Sequence, residues 1–312
     1  MIFSNLADCM AAKITHFIFY GNYFVGLLAV ALSIEATLQL KLPFNTAPYF
    51  ILLFTVPTVY YTYAYAKASI GQPLSNLRAQ WYIRHKHFIN ASQLTLSALS
   101  LATIAYYIFK YYRNIESLSV FYWIVMLIII SSGILYYGLI PKSVFKYNLR
   151  NTGWVKAFVI GFTWACCANI VPLIFLRIEN GLGYFNPYIW TWLFVKNWMF
   201  CTVNAIMFDI KDYPTDANLH LRTFVVRFGL RRTIYYILIP LSTIGLISFC
   251  AFGYFHHFTA LQMAINILPF LLTIYFAHTL HKRKGLLFYL MAIDGIIMFK
   301  ALCGIIAVQF SH

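Results

Sequence analysis

Acidic residues are what this chain most conspicuously lacks: eight Asp and Glu in 312 residues. Charged residues of both signs make up only 10%, where a soluble domain carries about a quarter. With 62% of residues apolar, that shortage excludes a soluble globular class and reads as an all-α, polytopic membrane helix bundle. The six cysteines (Cys9, Cys166, Cys167, Cys201, Cys250, Cys303) show neither CxxC nor Cys/His spacing. They read as small core residues, and a disulfide framework or a zinc site is not expected. No secretory leader is read at the N-terminus, where Asp8 and Lys13 precede an apolar run long enough to be a span. The net charge of +15 does not imply nucleic acid, because no soluble domain is left to present a binding face.

A bilayer core of about 30 Å asks for about 20 apolar residues per helix. On that measure the sequence gives nine expected spans, at 14–34, 47–66, 88–109, 118–140, 155–176, 187–208, 234–254, 258–278 and 286–309, in a single transmembrane domain over 1–312. Alternate connections carry sixteen of the 23 Lys and Arg. Positive charge marks the cytoplasmic side, so the N-terminus is expected in the cytosol, with a bacterial inner membrane as the default location. Two cytoplasmic connections, 67–87 and 209–233, are long enough to expect function or short overlying helices. They follow spans two and six, which suggests an internal duplication.

The scarce acids are not scattered. Asp209, Asp212 and Asp216 fall within eight consecutive positions, followed by Arg222, Arg227, Arg231 and Arg232. On a helix, offsets of three and seven place all three carboxylates in one arc. Such a set suits Mg²⁺, which takes hard oxygen ligands and completes its octahedron with water and substrate phosphates. A solvated loop with acids balancing arginines is the plainer alternative. Pro214 lies inside the cluster and is expected to end or kink the helix, since it has no amide for the i−4 bond.

The segment FDIKDYPTDANLHLRTFVVRFG resembles the second aspartate-rich motif of the UbiA superfamily of intramembrane prenyltransferases, with its trailing basic–Thr–hydrophobic–Gly run. Nine spans with long cytoplasmic connections after the second and sixth are similar to that family's layout. The resemblance implies Mg²⁺-dependent transfer of a prenyl group from a polyprenyl diphosphate to an acceptor in the membrane, with an aromatic acceptor expected. It implies that Asp212 and Asp216 are catalytic metal ligands, that Asp209 assists, and that Lys67, Arg78, Lys156 and Arg222 contact the diphosphate; Arg84 and Arg150 are weaker candidates. His220 stands where Gly is common in the family. The aromatic content of 19% suits a carbocation, and it equally suits residues placed at membrane interfaces.

The chain departs from the family at the first motif, since no Asp or Glu lies between Glu35 and Glu116. Either basic side chains there replace one metal and grip the diphosphate directly, or ionisation is lost and the scaffold binds an isoprenoid or lipid without catalysis, or transports it. A Tyr-x-x-x-Lys element is missing from the fourth connection, although Tyr63 and Lys67 have that spacing in the second.

Other ionisable groups fall inside apolar runs and are suspects by default. Asp294 and Lys300 lie six residues apart, about 120° around a helix and poorly placed to pair with each other, and Lys196 sits within span six. Asn22, Asn169, Asn204 and Asn266 read as interhelical glue, with Asn204 near enough in sequence to face the Asp cluster. A retinal Schiff base and a di-iron reading of His85/His87, His256/His257 and His278/His281 lack the further residues either chemistry needs.

Overall fold

The computed structural model describes residues 13–69, 76–137, 153–181 and 186–310; the side chains of 67–69 and 135–137 lie outside that description. The described chain is helical, with no strand among the described residues. Helix α1 (Lys13–Tyr20) bends by 64° into α2 (Tyr23–Gln39). Then come α3 (Ala47–Ser69), α4 (Leu77–Arg84), α5 (Lys86–Glu116) and α6 (Val120–Tyr137). Next are α7 (Val155–Asn169), α8 (Val171–Asn180), α9 (Pro187–Asn218) and the short α10 (Phe224–Phe228). The chain finishes with α11 (Leu230–Phe255), α12 (Ala260–Thr279) and α13 (Leu286–Val308). Helices α11 and α13 each contain a five-residue π-helical turn, at Ile234–Leu238 and Tyr289–Ile293.

Six helical segments among the described residues are long and apolar enough to cross a membrane, with α7 and α8 counted together, and seven if the bent α1–α2 pair is one span. Their exposed faces are greasy: Leu94, Leu101 and Phe109 of α5 are 74%, 67% and 82% exposed. Water would penalise such a surface, whereas hydrocarbon does not, and a helix satisfies its backbone internally. The chain is therefore an integral membrane helix bundle.

The helices cluster into two compact units, one of residues 1–30 and 45–117, the other of residues 31–44 and 118–312. In the first, the chain turns between α1 and α2 at Asn22, whose φ of 60° is left-handed. Asn tolerates that region better than most residues. Its buried side chain donates to Thr62 Oγ1 and accepts from Arg78, tying α3 and α4 to the bend. In the second unit, α7 packs chiefly against α9. Ala157, Gly161 and Ala165 recur every fourth residue on its buried face. Small residues at that spacing let two helix backbones approach without a large side chain between them. At Gly161 a Cβ would stand 2.9 Å from the Trp198 carbonyl oxygen and would meet the Thr202 side chain as well.

One boundary differs from the sequence expectation. The segment 209–233 is not one loop: α9 runs on through Asp209, Asp212 and Asp216 to Asn218. Pro214 does not end it, because proline removes only one bond and this proline is exposed at the end of the helix. The end closes beyond it through Leu219 N–H to Thr215 O and Leu221 N–H to Asp216 O. Within 67–87, residues 77–84 form α4, capped by the Asn76 side chain on the amides of Arg78 and Ala79.

Candidate functional site

Helix α9 starts firmly, with Pro187 at its first position and the Asn186 side chain accepting from the amides of Tyr188 and Ile189. At 1.5 Å per residue, Asp209 lies about 33 Å further along, roughly one hydrocarbon thickness from the start. The carboxylates thus stand at the far end of the span. Opposite them is Lys156, the residue before Ala157 in the small-residue stripe, so the close α7–α9 contact delivers the lysine to the acids. Lys156 Nζ lies 2.8 Å from Asp209 Oδ1 and 2.9 Å from Asp216 Oδ2. All three side chains are nearly sealed, at 6%, 3% and 8% exposure. The lysine therefore spans two helical turns, about 10.5 Å of rise.

Asp212, one turn on from Asp209, is not part of that bridge. It is 38% exposed and pairs with neighbouring Lys211. Its charge and that of Asp216 both act on Asp209. The cluster sets three carboxylates against two ammonium groups, and Asp209 Oδ2 is buried with no hydrogen-bond partner. One negative charge and one acceptor are thus left over.

Among the described residues no three His, Cys, Asp or Glu side chains close on one point, as an all-protein metal cage would need. Mg²⁺ does not demand such a cage; it is held by one or two carboxylates, with water and phosphate completing the shell. The spare acceptor on Asp209, the partly exposed Asp212 and the residual negative charge fit that use. The fit carries one condition: a dication between Asp209 and Asp216 requires Lys156 to swing away from at least one of them.

The structure brings Lys156 to the acids and leaves other expected contacts elsewhere. Arg222 extends an exposed side chain, while its backbone presses on Gly153 at the foot of α7, where a Cβ would stand 2.6 Å from the Arg222 carbonyl oxygen. Gly153 has a φ of 70°, so glycine is required there on both counts. Thr223 is fully buried and caps α10 through the Val226 amide. His220 ends α9 in the left-handed region, with φ 54°.

Arg78 belongs to the first unit and is buried there. Its guanidinium donates to Tyr20 O at 3.0 Å and Asn22 Oδ1 at 2.8 Å, and lies 3.7 Å from the centre of the Tyr65 ring. Tyr82 donates to the same Tyr20 carbonyl at 2.8 Å. Burial holds the Tyr82 hydroxyl above the ordinary tyrosine range, against the opposing pull of Arg78, so it stays a donor. These bonds give Arg78 a packing role. Lys67 lies on α3 with its side chain outside the described residues, as Arg150 is altogether; Arg84 is exposed at the end of α4.

A second charged group was missed in sequence. Glu35, fully buried on α2, accepts from Lys300 of α13 at 2.6 Å and lies 3.6 Å from Lys196 of α9. Lys300 also donates to Asn197, and Lys196 to Gln39 at 3.3 Å. The signal was available, since two lysines in apolar runs must find an acid, and Glu35 is the acid nearest the first span. Asn204 donates to Ile293 O at 2.9 Å and is interhelical glue. No family profile, no curated protein and no solved structure matches the chain.

Proposed function

We propose that this integral membrane protein is a prenyltransferase, moving a prenyl group from a polyprenyl diphosphate to a membrane-accessible aromatic acceptor. The observation that carries the reading is the buried Lys156 bridge between Asp209 and Asp216 at the end of the longest span, with Asp212 beside it. Nine spans, a cytoplasmic N-terminus, a cytoplasmic acid cluster and a bacterial inner membrane complete the proposal. Further support comes from the segment that resembles the UbiA motif: Thr223 caps a helix, Gly229 has a φ of 82°, and His220 is left-handed where the family favours Gly.

In this reading Asp212 and Asp216, assisted by Asp209, hold Mg²⁺, which when bound supplies positive charge to a departing diphosphate. Lys156 exchanges one or both of its carboxylates for a phosphate oxygen. A cation aimed at developing negative charge in a water-poor site is worth far more than in bulk water. Arg222, exposed after the end of α9, is the remaining candidate contact in this unit.

A second reading is favoured by Lys156 itself. A lysine that fills the space between the acids leaves a neutralised site on a prenyltransferase-like scaffold, which would bind or transport an isoprenoid or lipid without transfer. The two separate in one assay. Purified protein is incubated with radiolabelled polyprenyl diphosphate, Mg²⁺ and a membrane lipid extract as acceptor source. Catalysis predicts an acceptor-linked labelled product that Asp212→Asn and Asp216→Asn each abolish. Bound label with no product in the wild type would establish the second reading.

A further inference from the structure

A cavity opens beside the Glu35 group, lined by Lys196 and Gln39 of that group. Lys196 and Lys300 share the Glu35 carboxylate, at 3.6 Å and 2.6 Å. Asp294 lies six residues before Lys300, about 9 Å further from the cavity along α13. Lys300 donates to Glu35 and Asn197 and does not line the cavity. Lys196 is 8% exposed, donates to Gln39 at 3.3 Å, lies 3.6 Å from Glu35, and lines the cavity.

The cavity, of about 290 Å³, is lined by Lys196 together with Trp192, Phe249, Phe252, Gln39 and Gln262. The Trp192 and Phe252 rings stack at 3.8 Å, making a flat aromatic wall, and Lys196 Nζ lies 5.0 Å from the Trp192 ring centre. The remaining titratable groups of the lining are Lys41, His256 and His257, and none is Asp or Glu. Trp192 precedes Asp209 by seventeen residues on α9, so cavity and acid cluster stand about 26 Å apart at opposite ends of that helix. This is a separate site.

We infer that the cavity binds a single-chain membrane carboxylate, a free fatty acid, with its head on Lys196 and its first methylenes against the aromatic wall. Charge matching favours an anion, because Lys196 and Lys41 line the cavity and no Asp or Glu does. Size favours one chain: the volume falls at the lower edge of ligand cavities and does not hold a two-chain phospholipid. Buried cations in a membrane are costly, and a bound carboxylate adds a second counter-charge to Lys196, whose Glu35 partner stands 3.6 Å away.

The test uses the full chain in phosphatidylcholine vesicles, titrated with a fatty acid brominated near its carboxyl end. Quenching is read from Trp192 as the difference between wild type and Trp192→Phe. The acid is expected to quench saturably, its brominated methyl ester not. Lys196→Met is expected to weaken the acid about tenfold or more, as loss of a charge-assisted bond does, with Lys196→Arg retaining most of the affinity. Because Glu35 keeps Lys300, Lys196→Met retains a paired acid, and the ester comparison needs no variant at all. Equal quenching by ester and acid, or unchanged affinity in Lys196→Met, would overturn the inference. Phosphatidic acid displacing the fatty acid at equal concentration would overturn the single-chain assignment.

Discussion

Replacing Lys156 by methionine probes the acid cluster most sharply. The substitution keeps the length and apolar stem of the side chain and removes only the ammonium that lies 2.8 Å and 2.9 Å from two sealed carboxylates. Removing one partner of a buried ion pair costs about 3–5 kcal/mol, since the remaining charge stays desolvated. For a unit of this size that is a fall in thermal midpoint of roughly 6–20 °C. The assay is thermal unfolding in mild detergent, run with EDTA and with Mg²⁺. Asp209 and Asp216 then face each other unbridged, so Mg²⁺ should restore about 2.7 kcal/mol at a hundredfold excess over its Kd. The triple variant Lys156→Met/Asp209→Asn/Asp216→Asn should recover most of the loss without metal, its polar groups being neutral. A Lys156→Met protein that melts with the wild type would refute the bridge. A destabilised protein that Mg²⁺ leaves unchanged would refute the metal fit.

The other expectations concern particular contacts. Glu35→Gln should destabilise by about 3–5 kcal/mol, since it strands two buried lysines, and by more than Lys196→Met, which leaves the Glu35–Lys300 pair intact; paired melts in detergent compare them. His220→Gly should stabilise by about 1 kcal/mol, because a side chain at φ 54° is strained and glycine is not. Gly161→Val should separate α7 from α9 and cost about 1–3 kcal/mol or more; because that contact positions Lys156, diphosphate binding should weaken alongside the melt. Arg78→Lys should lower the thermal midpoint although the charge is kept, because an ammonium cannot both bond Tyr20 O and Asn22 Oδ1 in a planar fork and lie over Tyr65.

The membrane class was legible from composition alone, because hydrocarbon as solvent imposes long apolar runs that no local detail disguises. Helix ends were harder to read. Pro214 marks a break on local grounds, yet one missing bond at an exposed helix end does not outweigh the bonds of the turns around it. The Asp cluster was visible as spacing, and its division into a buried pair and a partly exposed Asp212 was not. That division follows from which face of α9 meets the small-residue stripe of α7, a tertiary fact. Lys156 emerged through a resemblance that assigned it to diphosphate, whereas the structure sets it between two acids. The Glu35 group went unread because Lys196 and Lys300 lie 161 and 265 residues from Glu35 in sequence. Composition demands that intramembrane charges pair, and only the fold says with which.

Binding of a non-hydrolysable polyprenyl thiodiphosphate, titrated with and without Mg²⁺ on wild type and Asp212→Asn, tests the central claim most directly. The proposed prenyltransferase site requires tight binding that depends on Mg²⁺ and is lost in the variant. Binding indifferent to metal and to Asp212, or no binding at all, would contradict it.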